Sequence, residues 1–531
     1  MIVKQKTPII QPSSSNSNLN CNFRISRLGV LASGVALTLS IVSPDALAQE
    51  ISRAEFDALM ARIEQLESEN RSLREEREPQ QLGSLNVASS GASSANFVSI
   101  ASDYNFKVLD HAENTNTKQL LQLRALQSEE LDGVITLGGQ VTALANYQEA
   151  NEDTKFGWLM RHPTAANQIG TNVSEAVVHS ANLNMTAKLS EDFTAYLEML
   201  YNPEQNFAAN STITGLPRNN VNMRKAYVMW GNLDKSPLYA SIGKMDIPFG
   251  LNDTVSPFTN SSNWHAFAGL AYGGLLGFAS DNLHVRAMAV QGGAQFRNAN
   301  TPIEGSNVPS KLNNFAIDAN YKFPVAADTS LLIGASYQYG TGYCQSYIDT
   351  PATAHSTFPA LIPGVTRNTA AQGVKHFNGC EDNNDGASVY AQLSSDKLLL
   401  IAEYTETLGE WPGTFNPYIP EFQANENSAL TVGARYDVSA GLRSDVELSA
   451  EFSRFEAGAS GSSWEKQDQL VLGVSYFVKS NVNLFAEAIR VDGWVPLNFL
   501  SGGNPGSLVG TSWSSQSSFT NIMTVGLQTA F

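Results

Sequence analysis

From Leu131 onward the chain alternates apolar and polar residues with a period of two. Ile135, Leu137, Val141, Ala143 and Tyr147 interleave with Thr136, Gly138, Gln140, Thr142 and Asn146. Phe315, Ile317, Ala319, Tyr321 and Phe323 do so with Asn314, Asp318, Asn320 and Lys322, and Val446, Leu448, Ala450 and Phe452 with Glu447, Ser449, Glu451 and Ser453. Successive side chains of a strand point to opposite faces, so this period predicts strands with one apolar face. Strands are expected near 133–147, 174–188, 193–202, 221–231, 238–245, 271–280, 283–293, 313–323, 329–341, 386–394, 397–407, 428–438, 444–456, 468–479, 481–491 and 519–531.

A soluble sandwich would alternate in the same way. The connections discriminate. Leu189–Asp192, Asn232–Pro237, Asp281–Asn282, Pro324–Asp328, Ser395–Asp396, Ser439–Leu442 and Ser480 are short turns. Between them fall long stretches rich in Asn, Gly and Pro, including Gln148–Val173, Pro203–Asn220, Met245–Leu270, Gly342–Asp385 and Asp492–Ser518. Tight turns at one end and long loops at the other are the layout of an outer-membrane barrel. The expected fold is therefore all-β, a transmembrane antiparallel barrel of about 16 strands over residues 132–531. The last strand agrees, with Met523, Val525, Leu527 and Phe531 in alternation. Tyr147, Tyr201, Trp230, Tyr339, Tyr404, Tyr476 and Trp494 are candidates for the aromatic girdles.

The N-terminal part has other periods. Lys4, Lys6, Arg24 and Arg27 precede an apolar run from Leu28 to Val42 and the small-residue pattern Ala46-Leu47-Ala48, so residues 1–48 are expected to be a signal peptide. Residues 49–79 open with the capping-box pattern Ser52-Arg53-Ala54-Glu55 and carry Phe56, Ile63 and Asn70 on one heptad position, with Leu59, Leu66 and Leu73 three residues later. This predicts an α-helical coiled coil in the periplasm and hence a homo-oligomer, a trimer being one option. Residues 80–131 read as a linker: Gly83–Ser102 is rich in Ser, Ala, Asn and Gly, and Thr117–Leu131 is one short helix on the periplasmic side. The pattern leaves open whether that helix enters the barrel, and the segment is too short to expect a folded plug.

Composition narrows the function classes. No internal run approaches the 18 or so apolar residues of a membrane helix, and the net charge of −17 excludes a nucleic-acid partner. With Cys21 removed by processing, Cys344 and Cys380 remain, as one disulfide or two free thiols. The histidines lie scattered with no nucleophile at a telling spacing, and Glu381–Gly386 lacks the glutamate an EF-hand needs six positions on. Neither an enzyme nor a metal or cofactor site is expected.

The third long connection holds the candidate chemistry. It follows Gly243-Lys244-Met245-Asp246-Ile247-Pro248-Phe249-Gly250 and runs on through Asp253 to His265. Pro248 and Gly250 suit a sharp inward turn, which makes Lys244, Asp246, Pro248, Phe249, Gly250, Asp253 and His265 the candidate constriction residues. The Gly243–Gly250 segment resembles the Gly-Lys/Arg-x-x-x-Pro-Phe-Gly stretch of plug-less outer-membrane porins, the legiobactin-receptor type of siderophore porin and, more distantly, the phosphate-selective porin O/P family. Asp385–Gly409 and Val482–Gly493 resemble the siderophore group more. The resemblance implies a barrel, embedded in outer-membrane lipid, that admits a small solute or a ferric siderophore to the periplasm. A phosphate pore would call for converging Arg and Lys, and none lies between Met245 and Ala271. The alternatives are a general or anion porin, or a structural outer-membrane anchor acting through the coiled coil.

Overall fold

A computed structural model describes residues 97–131, 133–153, 155–158, 170–201, 221–291, 295–296, 312–341, 384–410, 425–438, 445–456, 458, 460–461, 465–494 and 515–531. The signal peptide, the coiled-coil positions Phe56 to Leu73 and the Cys344–Cys380 pair lie outside the described residues.

Sixteen strands form the wall: β1 (Ile135–Ala150), β2 (Asn172–Lys188), β3 (Phe193–Tyr201), β4 (Val221–Gly231), β5 (Leu238–Asp246), β6 (Gly269–Ala279), β7 (Leu283–Gln291), β8 (Leu312–Ala326), β9 (Thr329–Tyr339), β10 (Gly386–Ser394), β11 (Leu398–Thr407), β12 (Ser428–Asp437), β13 (Asp445–Glu456), β14 (Lys466–Lys479), β15 (Val482–Trp494) and β16 (Ser515–Ala530). Each pairs antiparallel with the next, and β16 returns to β1 from Thr520↔Ala150 to Ala530↔Gln140, which closes the barrel. Every strand expected from the alternation is present. Closure removes the exposed edges that an open sheet would offer.

The two faces are inverted relative to a soluble protein. On β8 the row Phe315, Ile317, Tyr321 and Phe323 is exposed outward, while Asn314, Asp318 and Asn320 are buried within. On β14 Leu472 is 52% exposed and Gln469 only 1%. Apolar rows outward and polar rows inward hold around the wall, and a hydrocarbon surrounding satisfies that arrangement where water does not. No helix among the described residues is long and apolar enough to cross a membrane.

The N-terminal segment corrects an expectation. Within the stretch read as linker, Val98–Ile100 is a strand, parallel to β1 in the register Val98↔Ile135. Two helices follow, α1 (Ser102–Leu109) and α2 (Lys118–Gln127). The helix expected within Thr117–Leu131 is present as α2, and the question of its entry, left open by the pattern, is answered by packing against inward-facing wall residues: Tyr104, Val108, Leu109, Leu120 and Leu123 share one apolar cluster with Tyr196, Tyr227, Met229 and Tyr239. The segment thus acts as a small plug in the turn-side half of the lumen. Period counting missed this because α2 is buried on more than one face, through Gln119 and Gln122 as well as Leu120 and Leu123, so it shows no clean apolar stripe.

Candidate functional site

The lumen is narrowed from two sides. One is the connection between β5 and β6, residues 247–268, which turns inward at mid-height and ends in the short helix α3 (Ser262–Phe267). Gly250 makes the turn at φ +73°, and a Cβ there would lie 2.3 Å from the Glu403 Oε1. Glycine removes both obstacles.

Beyond Gly250 the chain runs as a strap across the inner face of β11 to β15. The N–H groups of Leu251 and Asn252 donate to the two carboxylate oxygens of Glu403, each at 2.8 Å. The Val255 N–H (2.8 Å) and the Thr254 hydroxyl donate to Glu451. Phe258 and Thr259 give N–H donors to Glu487 at 2.8 and 2.9 Å, and the Thr259 hydroxyl adds a third bond at 2.6 Å. The spacing has a simple cause. Alternate strands are about 9.5 Å apart, which an extended chain covers in about three residues. Between the glutamates, β12 and β14 present Gly433 and Gly473. Added Cβ atoms there would come within 2.5 Å of Val255 and 2.3 Å of Pro257. The wall thus alternates a carboxylate that holds the strap with a glycine that admits it. Ser262 N–H on the Ser453 hydroxyl and Gln469 on the Asn260 carbonyl extend the attachment. Phe258 stacks on Phe485 with ring centroids 5.1 Å apart, and Trp158, from the first long connection, donates its indole N–H to Thr259.

The second side is the N-terminal segment, which meets the strap face to face. Asn116 donates its amide to the carbonyls of Phe249 (2.9 Å) and Gly250 (2.8 Å). Asp253 accepts the N–H groups of Asn114 and Thr115, at 3.2 and 2.9 Å. His111 shares a 2.8 Å hydrogen bond with the Phe258 carbonyl. Below, Arg286 reaches the Asn116 carbonyl and pairs with Asp318 at 2.6 Å, both side chains being fully buried. Glu113 pairs with Arg435 on β12. Asn105, wholly buried, donates to the carbonyls of Leu137 and Phe531 across the seam between β1 and β16.

The candidate constriction residues divide. Pro248, Phe249, Gly250 and Asp253 come together at the contact between strap and N-terminal segment, with Phe249 in the apolar cluster. Asp246 is buried in an ion pair with Lys225 at 2.7 Å. His265 is buried in α3, and both ring nitrogens lack a hydrogen-bond partner among the described residues. Burial pushes its pKa down to about 3, so it is a packed neutral ring and not a lumen cation. Lys244 is buried, its ammonium donating to the Met223 carbonyl at 3.3 Å and lying 6.0 Å from the Tyr272 ring. Burial pushes Asp253 the other way, up to about 6, with Glu113 adding to the shift, against the two backbone N–H groups and Lys118.

Glu487 and Asn116 escaped sequence reasoning, although a signal for the glutamates exists. Ala402-Glu403-Tyr404, Ala450-Glu451-Phe452 and Ala486-Glu487-Ala488 repeat one pattern on alternate strands, a carboxylate on the inward parity between two outward apolar residues.

No family model and no curated protein matches the chain. Solved structures do. The outer membrane channel DcaP of Acinetobacter baumannii aligns at 14% identity over 75% of this chain and 97% of its own, with a TM-score of 0.43. An anion-selective porin from Comamonas acidovorans aligns at 12% identity over 75% and 99%, with a TM-score of 0.41. Pseudomonas putida OprB gives 10% identity over 79% and 99%, with a TM-score of 0.46. At these values the assignment of the wall rests on its own pairing and faces.

Proposed function

We propose that the chain is an outer-membrane channel through which a small solute enters the periplasm passively. One observation carries this: a closed sixteen-stranded wall with apolar residues outward and polar residues inward. That inversion suits a lipid surround and an aqueous interior. The strap would set the constriction at mid-height, with the N-terminal segment restricting the lower half. The turn end, where the N-terminal segment meets the wall, would face the periplasm, and the coiled coil before it would join copies into a homo-oligomer.

A ferric siderophore is the finer reading, supported by the resemblance of Gly243–Gly250, Asp385–Gly409 and Val482–Gly493. The space between strap, N-terminal segment and wall is about 230 Å³, smaller than drug-sized ligand pockets of about 300–1,000 Å³. A small solute is therefore favoured, and a siderophore would require the N-terminal segment to move. Purified protein in planar bilayers tests the channel. Stepwise conductance from material recovered in the outer-membrane fraction is expected; electrical silence of correctly folded protein would leave the anchor role instead. Growth of a deletion strain on defined siderophores under iron limitation tests the finer reading, which unchanged uptake would remove.

A further inference from the structure

The charged groups of the lower lumen are not all committed to partners. Between α2, the strap and β7 to β10 lies the cavity of about 230 Å³, reaching from Gly250 at mid-height to the turn at Ser280–Asn282. Five charged groups stand on its lining without being equally available. Arg286 is committed to Asp318 and the Asn116 carbonyl. Asp253 is committed to two backbone N–H groups. Arg124, from α2, and Lys322, from β8, line the cavity with their side chains exposed, and among the described residues neither makes a side-chain hydrogen bond or ion pair. The fifth, Asp281, stands on the exposed turn at the rim.

We propose that this cavity is an anion site at the periplasmic exit, taking a small solute that bears a carboxylate or phosphate group between Arg124 and Lys322. The guanidinium offers a planar donor fork and the ammonium a point charge, the two cationic groups that bind such oxyanions. A narrow cavity with low-dielectric walls focuses the field of its uncommitted charges. The chain's net charge of −17 does not oppose this. Charge outside the path is screened within about 8–10 Å at physiological salt, whereas charge on the lining acts directly on the solute. The residue types also explain why the third connection, which holds no Lys or Arg between Met245 and Ala271, gives no hint of anion preference: the cations come from α2 and β8. As a transport statement the proposal rests on the channel function above; as a binding statement it does not.

Two measurements keep these apart. Inorganic phosphate binding to the full-length detergent-solubilised protein, followed by calorimetry, should weaken at least about tenfold, or 1.4 kcal/mol, in Arg124→Gln/Lys322→Gln. In a bilayer under a potassium chloride gradient, the reversal potential should favour chloride in the natural protein and move toward potassium in Arg124→Glu/Lys322→Glu. Both pairs sit at exposed positions, and an unchanged heat-modifiable mobility confirms that the variants fold. Equal phosphate affinity in the Gln pair, or an unmoved reversal potential in a conducting Glu pair, overturns the proposal. Phosphate binding lost in the Gln pair with no conductance from any protein would uphold the site and remove the channel instead.

Discussion

The two elements that fill the lumen are held by different physics. Along β11 to β15 the strap is fixed by three carboxylates that accept its backbone N–H groups, at fixed steps along wall and chain. Along β3 to β7 the N-terminal helices are fixed by an apolar cluster in which Tyr104, Leu120, Leu123 and Tyr227 meet. Hydrogen bonds to charged acceptors are directional, and a buried donor left without one is costly. Apolar packing is non-directional and shares a loss among many neighbours. The strap should therefore behave as a position set by a few atoms, and the plug as a body set by its total buried surface.

The strongest test breaks the strap. In Glu451→Ala/Glu487→Ala, three backbone N–H groups, of Val255, Phe258 and Thr259, lose their acceptors. At about 1–3 kcal/mol for each buried unsatisfied donor, the attachment loses roughly 3–9 kcal/mol. The expected results are a larger single-channel conductance and protease cleavage within 251–262, with the barrel still resistant to unfolding at room temperature. A strap that stays protected would mean that Gly250 and the Phe258–Phe485 stack hold it without the carboxylates.

A smaller effect is expected on the plug side. Leu123→Ala removes a side chain that is 2% exposed at the centre of the apolar cluster. Buried Leu→Ala changes cost about 2–5 kcal/mol, according to how far the site collapses. Here the flexible neighbour Leu120 and the adjoining helix can close in part, so the lower end is expected. Hydrogen exchange should rise across α1 and α2 together while the strap amides stay protected. Exchange confined to α2 would show that the two helices are not one body.

The wall was legible because its period is enforced by its surroundings. One face of each strand meets an apolar medium, so a residue of the wrong class there is expensive, and all sixteen strands could be read from alternation and loop length. The inward turn at Pro248–Gly250 was legible for a related reason, since few residues permit it. The plug was not. Its residues are selected by contacts far away in sequence, such as Gln122 with Tyr227 and Asn116 with Gly250, and they leave no local period. The glutamates stood between these cases: their parity was readable, as for Glu451 on the polar face opposite Val446, Leu448, Ala450 and Phe452, but their partners are backbone N–H groups, which carry no residue identity.

Asp253 joins the two elements, and it gives the smallest and most specific test. It belongs to the strap and accepts its hydrogen bonds from the N-terminal segment. Burial raises its pKa to about 6 from an ordinary 3.8, with Glu113 raising it further and the Asn114 and Thr115 N–H groups and Lys118 opposing. A carboxyl that holds its proton more tightly when docked than when free favours docking while it is protonated. That contribution is complete below about pH 4 and is lost as pH rises through about 6. Protection of the Asn114 and Thr115 amides, corrected for intrinsic exchange rates, should thus be greater at pH 5 than at pH 7. Asp253→Asn cannot titrate and should flatten the profile while keeping one oxygen acceptor. Protection that instead grows with pH would mean that the bonds to the ionised carboxylate outweigh its burial, and that the joint tightens where it is expected to loosen.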